Sequence, residues 1–361
     1  MGDLDQLLAE IARAIQPTSE QNARAESAYR AVGEWLAGDP ELKPFVPEIY
    51  PQGSHALGTT NCPLRGGEHD VDLVYQMRRL FPGTPEQLLI AVVRRLRANG
   101  DYGKRIKVGK RCVRIEYAGD FHLDILPARP DLLRGNTCIE IPDRELRMWL
   151  TSNPRGYVMW FESQCDTPLV LEKRGGVPLP ANTPADLKPI LKRQVQLMKR
   201  HRDVVFEKDE DDAPRSIVLT TLSGIAYGGE ASLSLALLAA LKDIETRIEA
   251  AAPRRIVVAN PTNRDEPFGD KFTPQSYLKF VNFVRAFRAK LDALLAARGM
   301  DQITSLLTEM FGTTPTLGVV KAHAMRMQAE RERNRLRTNA AGLTTLGSGP
   351  LVRPNNFFGG A

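Results

Sequence analysis

The chain has 361 residues, 42% of them hydrophobic and 25% charged, the balance of a soluble globular protein with room for one large domain or two ordinary ones. No apolar run reaches the roughly 20 residues that a membrane-spanning helix needs, and the acidic, amphipathic opening MGDLDQLLAEIARAIQ is not a secretory signal. The net charge of +6 favours polyanionic partners, yet 43 acidic residues are interspersed with 49 basic ones, so charge alone fits a solvated basic surface equally well.

In chain order, residues 3–16 and 18–38 read as two helices, with Leu, Ile, Ala and Trp35 at helical spacing. Pro40, Pro44 and Pro47 then break the chain. Residues 70–77 read as a strand, 85–98 as a helix, and 104–109, 111–117 and 121–126 as strands punctuated by Gly103, Gly109 and Gly119. From Pro189 onward the pattern is helical: 187–203, 216–228, 231–251, 274–298, 302–310 and 317–338. The acidic stretch 207–215 is expected to be a solvated loop. From about Gly342 the chain is rich in Gly, Pro, Ser, Thr and Asn, which predicts a flexible tail. Strands followed by a long helical remainder predict an α+β arrangement. The four cysteines, Cys62, Cys112, Cys138 and Cys165, form no CxxC pair; neither a zinc site nor a disulfide framework is expected, and a reducing cytoplasm is the expected compartment.

The most informative stretch is PQGSHALGTTNCPLRGGEHDVDLVYQ, residues 51–76. Asp70 and Asp72 are two apart on a strand, so their carboxylates share one face while Val71 and Leu73 share the other. Two adjacent carboxylates repel unless a cation neutralises them. Magnesium suits such an oxygen site where phosphates also bind. Asp124 lies in a second apolar strand, FHLDIL, a costly place for an acid without a partner. If the two strands are neighbours, three carboxylates converge and a two-metal centre becomes available. Taken singly, the DxD fits an exposed strand face, and Asp124 fits a simple ion pair with an arginine such as Arg114.

Gly53-Ser54 opens a short helical run sixteen residues before Asp70. Glycine allows close backbone approach, the helix start offers N–H groups to a phosphate, and the Ser54 hydroxyl adds a donor. By itself the serine fits an ordinary helix cap.

The GS turn, the DVD and the later LDILPA together resemble the nucleotidyltransferase signature hG[GS]…DhD…hDh. More narrowly, the chain to about residue 290 resembles the bacterial cGAS/DncV-like nucleotidyltransferases of anti-phage defence. The resemblance implies a polymerase-β-like core, a mixed sheet with flanking helices, over residues 1–185. It implies a helical lobe closing the nucleotide pocket over 186–340, leaving 341–361 as tail. It implies template-independent joining of NTPs, with ATP as a donor, into a cyclic di- or trinucleotide, with release of pyrophosphate. Asp70, Asp72 and Asp124 would bind Mg²⁺, or Mn²⁺ in its place, and Gly53 and Ser54 would hold the donor triphosphate. DLKPILKRQVQLMKRHRD is similar to the family's long helix, making Lys199 the triphosphate lysine. RSIVLTTLSGIAY is similar to the next helix, making Ser216 a nucleotide contact, and VVANPTNRDEPFGDKF resembles a segment beside the nucleotide pocket.

The resemblance extends to relatives whose C-terminus is attached to a target by an E1/E2-like partner, and Gly359-Gly360-Ala361 fits that chemistry, with Ala361 as the point of attachment. No nucleic-acid activator is indicated. Two rival readings share the fold: an RNA-terminal or small-acceptor nucleotidyltransferase, and a non-catalytic RNA binder using KRIKVGKRCVR, residues 104–114. His55, His69 and His122 show no metal-ligand spacing, and Trp149, Trp160 and Phe161 read as core aromatics.

Overall fold

The computed structural model describes residues 2–64, 69–117, 119, 121–135, 137–165, 179, 183, 187–270, 272–333, 335, 337–338, 344–345 and 351. Helices α1 (Gly2–Ala14) and α2 (Ser19–Ala37) open the chain. Leu7, Leu8, Ile11 and Ile15 recur at helical spacing and are buried. Thr18 and Gln21 cap α2 reciprocally. The prolines read as breakers lead instead into strand β1 (Pro47–Gln52). It lies at the sheet edge, beside β2 (His69–Met77), where missing proline N–H groups are tolerated. Between them sits α3 (Gly53–Leu57).

Helix α4 (Pro85–Arg97) follows, with Thr84 and Gln87 as its capping pair. Then come β3 (Ile106–Val108), β4 (Val113–Tyr117) and β5 (Phe121–Pro130). The basic 104–114 segment thus forms part of the β3–β4 hairpin, with Lys107 paired to Glu116. Among the elements that patterning does not predict are β6 (Ile139–Asp143), β7 (Met148–Ser152) and α5 (Pro154–Gln164). Pro142 obscures β6, β7 is short and largely half-exposed, and α5 is crowded with aromatics around Gly156. The sheet order is β1-β2-β5-β4-β3, and the far end of β5 pairs with β6, which pairs with β7. Among the described residues only β2 and β5 pair in parallel; the other pairings are antiparallel.

The helical half comprises α6 (Ile190–Val205), α7 (Ser216–Ala226) and α8 (Leu233–Ala251), then the hairpin β8 (Ala259–Asn260) and β9 (Asn263–Pro267). Helices α9 (Pro274–Ala296), α10 (Met300–Phe311) and α11 (Thr313–Glu332) complete it. The helix expected over 317–338 therefore begins earlier and ends at Glu332, where Arg335 N bonds back to Glu330 O. Arg337–Thr338 is instead strand β10, paired with β11 (Thr344–Thr345), and Leu351 bridges to Arg337. Gly359, Gly360 and Ala361, on which the expected conjugation falls, lie outside the described residues. The acidic 207–215 stretch is also more than a solvated loop: Lys279 reaches Asp209 at 3.2 Å and Asp212 at 2.7 Å. Among the described residues no helix is long and apolar enough to cross a membrane.

Two main cores divide the chain. One packs α2 and α4 against the sheet through Val71, Leu73, Tyr75, Leu123 and Ile125. The other is helical and includes α1, Leu57 and α5 (Tyr157, Phe161) with α6 to α10. The turn that begins at Gly53 is therefore anchored in the helical core at Leu57 while Asp72 and Asp124 ride on the sheet. Glu266 of β9 ties the halves further. It accepts from Ser152 Oγ at 2.6 Å, Asn153 N at 2.9 Å and Asn260 Nδ2 at 2.7 Å. These partners are buried. Replacing Glu266 by alanine should cost about 2–4 kcal/mol in urea unfolding, because three buried donors lose one acceptor; an unchanged midpoint would show that the network adds nothing to stability.

Candidate active site

Alternation along β2 buries Val71 and Leu73 and turns Asp70 and Asp72 to the other face. In the parallel β2–β5 ladder Asp72 stands opposite Asp124. Neighbouring strands lie about 4.8 Å apart, so the two carboxylates meet on one face. The next strand sets Arg114 opposite Asp124. Its Nε donates to Asp124 Oδ1 at 2.7 Å, and its Nη2 to Asp124 Oδ2 at 2.7 Å and Asp70 Oδ1 at 3.2 Å. The Arg114–Asp124 ion pair that Asp124 fits when taken singly is present, and it sits inside the carboxylate cluster. The Asp124 hydrogen bond, chiefly, raises the Arg114 pKa.

Asp72 shows how the cluster stands electrostatically. Burial first, then Asp70 and Asp124, pushes its carboxyl up to about 7, against the opposing pull of Arg114 and Lys199. One guanidinium does not neutralise three acids. The all-oxygen donor set fits a hard divalent cation. As placed, no three His, Cys, Asp or Glu side chains among the described residues form a ready metal-binding group; side chains must shift for an ion to enter.

Gly53 is demanded by this geometry. Its φ is +62°, and a Cβ there would collide with Asp72 Oδ2 and come within 3.1 Å of Asp72 Cγ. The turn thus presses its backbone against a carboxylate. Because α3 has only five residues, its start can offer individual N–H groups rather than the dipole of a long helix. Ser54 Oγ accepts from Thr60 Oγ1 at 3.2 Å.

Lys199 is not on a solvated helix face. It is buried, and its Nζ donates to Thr59 O at 2.9 Å. Burial first, and then Arg202, lowers its pKa to about 8, while Asp203, Asp72 and Asp70 act in the opposite sense. Sequence reasoning did not anticipate its neighbours' work: Gln196 Nε2 reaches Thr60 O at 2.8 Å and Arg200 Nη2 reaches Cys62 O at 2.6 Å. One face of α6 therefore staples the loop after the Gly-Ser turn, a role that no residue spacing announces. Ser216 begins α7 and accepts from Arg202 Nη1 at 2.6 Å. His55 and His69 stack with ring centroids 5.6 Å apart, and burial first, with His69 and Lys199, lowers the His55 pKa to about 3. Phe161 is fully buried, Trp160 packs at the rim of the same core, and Trp149 lies under Arg129 at 4.0 Å.

A family profile described as "Second Messenger Oligonucleotide or Dinucleotide Synthetase domain" matches residues 3–164. The chain is 33% identical over 374 residues to a c-di-GMP synthase of Roseivirga ehrenbergii, covering 99% of this chain and 97% of that one. It is 28% identical to the cyclic dinucleotide synthase CdnG of Bradyrhizobium diazoefficiens, over 90% of this chain and 84% of the relative. The solved structure of that CdnG with GTP superposes with a TM-score of 0.73 at 24% identity, covering 89% of this chain and all but 1% of that one (99%). Vibrio cholerae DncV cyclic AMP-GMP synthase with nonhydrolyzable GTP gives 0.56 at 17% identity, covering 87% of each chain. The structural likenesses support the expected polymerase-β-like α+β fold with its helical C-terminal part.

The raised Asp72 pKa sets a pH-dependent stability. A carboxyl whose folded pKa exceeds its unfolded value destabilises the fold once ionised, so the penalty is present above about pH 7 and relieved as pH falls through it. In chelator at pH 8, Asp72→Asn should melt at or above the wild type, with the gap narrowing toward pH 5.5. A variant that melts well below the wild type at pH 8 would show that the charge is satisfied in place.

Proposed function

The chain belongs to the second messenger oligonucleotide or dinucleotide synthetases, the cGAS/DncV-like nucleotidyltransferases, and we propose that it joins two nucleoside triphosphates into a cyclic dinucleotide at the Asp70–Asp72–Asp124 cluster. The observation that carries this assignment is the in-register placement of Asp72 and Asp124, with Gly53 pressed against Asp72. Of the nucleotides, similarity to a c-di-GMP synthase weights the choice toward GTP, beside the ATP donor that the family resemblance implies. The anti-phage setting is the one that the family resemblance implies.

In this reading the donor triphosphate lies along the Gly53-Ser54 turn, with the Ser54 hydroxyl and Lys199 Nζ as its side-chain contacts. Lys199 would exchange its bond to the Thr59 carbonyl for a phosphate oxygen, whose negative charge favours the protonated ammonium. Ser216 would touch the same nucleotide from the start of α7. Asp70, Asp72 and Asp124 are the residues that would hold divalent ions. Such ions, Mg²⁺ or Mn²⁺, supply charge neutralisation on the phosphates and acidify the acceptor hydroxyl. Asp124 is assigned to take the proton of that hydroxyl. The hydroxyl oxygen bonds to the α-phosphorus as the bond to the β-phosphate oxygen breaks, and pyrophosphate leaves. A second such transfer within the linear product closes the ring and releases a second pyrophosphate. Positioning and charge, rather than covalent catalysis, lower the barrier.

Purified protein given each NTP alone and in pairs, with Mg²⁺ or Mn²⁺, should yield a cyclic dinucleotide by mass spectrometry, with GTP among the substrates. Asp70→Asn and Asp72→Asn should each lower the rate by about a thousandfold or more. Gly53→Ala, which displaces the Asp72 carboxylate, should lower it by about a hundredfold. Extended RNA or a modified acceptor as the product, or full activity in Asp72→Asn, would overturn the assignment.

A further inference from the structure

The carboxylate cluster already holds a cation of the protein's own. Arg114 makes a two-pronged contact with Asp124, 2.7 Å from each oxygen, and the same Nη2 reaches Asp70 at 3.2 Å. One guanidinium thus spans two of the three acids assigned to divalent ions. The fork takes up part of the lone-pair capacity that an ion would use, and two cations so close repel, so fork and ion compete for these oxygens. We propose that Arg114 is a displaceable counter-ion. It holds Asp70 and Asp124 together before a divalent ion enters, and it yields when ion and triphosphate arrive, so the nucleotide-free protein binds divalent ions weakly. This inference rests on the reading of Asp70, Asp72 and Asp124 as ion ligands.

The surroundings favour exchange over a fixed strut. The Arg114 side chain is 35% exposed, so its head can swing toward solvent. Val113 and Ile115 on either side are fully buried, so the strand itself need not move. Glu116, already paired with Lys107, shares the Arg114 face two residues along β4, so the released guanidinium would have to share it with that lysine. The fork is bidentate and the Asp124 side chain is only 14% exposed, so an ion that brings phosphate ligands of its own is best placed to displace it. Asp72 stands outside the fork, so one carboxylate of the cluster stays open to an incoming ion.

The test is Mn²⁺ binding to the whole protein, followed by electron paramagnetic resonance, with and without a nonhydrolyzable GTP analogue. Without nucleotide, Arg114→Gln should bind Mn²⁺ about tenfold more tightly than wild type, and the difference should shrink when the analogue is present. Arg114→Lys, a cation that cannot form the fork, should fall between; it carries the test if the glutamine variant does not fold. A strut that merely shapes the site predicts the opposite sign. Equal or weaker Mn²⁺ binding in a folded Arg114 variant would overturn the inference while leaving the metal reading intact. Asp72→Asn is the control: if it binds Mn²⁺ like wild type, the metal reading fails, and the inference with it.

Discussion

The structure turns on the repulsion among three carboxylates fixed on one face of a sheet. Asp70 and Asp72 share that face by strand alternation, and the parallel register brings Asp124 beside Asp72. A fold that gathers like charges gives up stability to do so, and burial sharpens the conflict at Asp72. The neighbouring cations make sense in that light. Arg114 offsets part of the charge through its bonds to Asp124 and Asp70, and Lys199 adds a second positive charge nearby. Neither completes the neutralisation, and that deficit is what the proposed cation binding rests on.

The two cores meet at this point. The sheet core fixes the carboxylates, while the helical core fixes Leu57 and the face of α6 that grips residues 59–62. The Gly-Ser turn is thus held from both sides, with the Gly53 backbone against the Asp72 carboxylate. Any movement of α6 against the sheet would be felt at Ser54 and Asp72 together. Glu266 closes the opposite side of the arrangement by joining β9 to the start of α5.

Each half of the carboxylate centre is legible because its signal is local, whereas their meeting depends on the parallel pairing of β2 with β5. DVD on an apolar strand states its own face, and an acid inside FHLDIL states its own expense. The long amphipathic helices α1, α4, α8 and α9 were legible for the same reason of period. What could not be read was set by partners distant in the chain. β1 carries two prolines and is a strand only because an edge position tolerates them. β6 and α5 have compositions that point elsewhere, and tertiary pairing overrides them. Lys199 and Arg200 look like a solvated helix face until Thr59 and Cys62 are seen to occupy it. The overlong helix at 317–338 came from extrapolating a favourable composition past Arg333, where the backbone turns back on itself.

The central claim is that Asp70, Asp72 and Asp124 form one cation-binding centre. Its most direct measurement is anomalous diffraction from crystals grown with Mn²⁺ and a nonhydrolyzable GTP analogue. The account predicts Mn²⁺ peaks within about 2.0–2.3 Å of oxygens from all three aspartates, bridged to the triphosphate. Nucleotide bound with no anomalous peak at these carboxylates, or with Mn²⁺ held elsewhere, would contradict it.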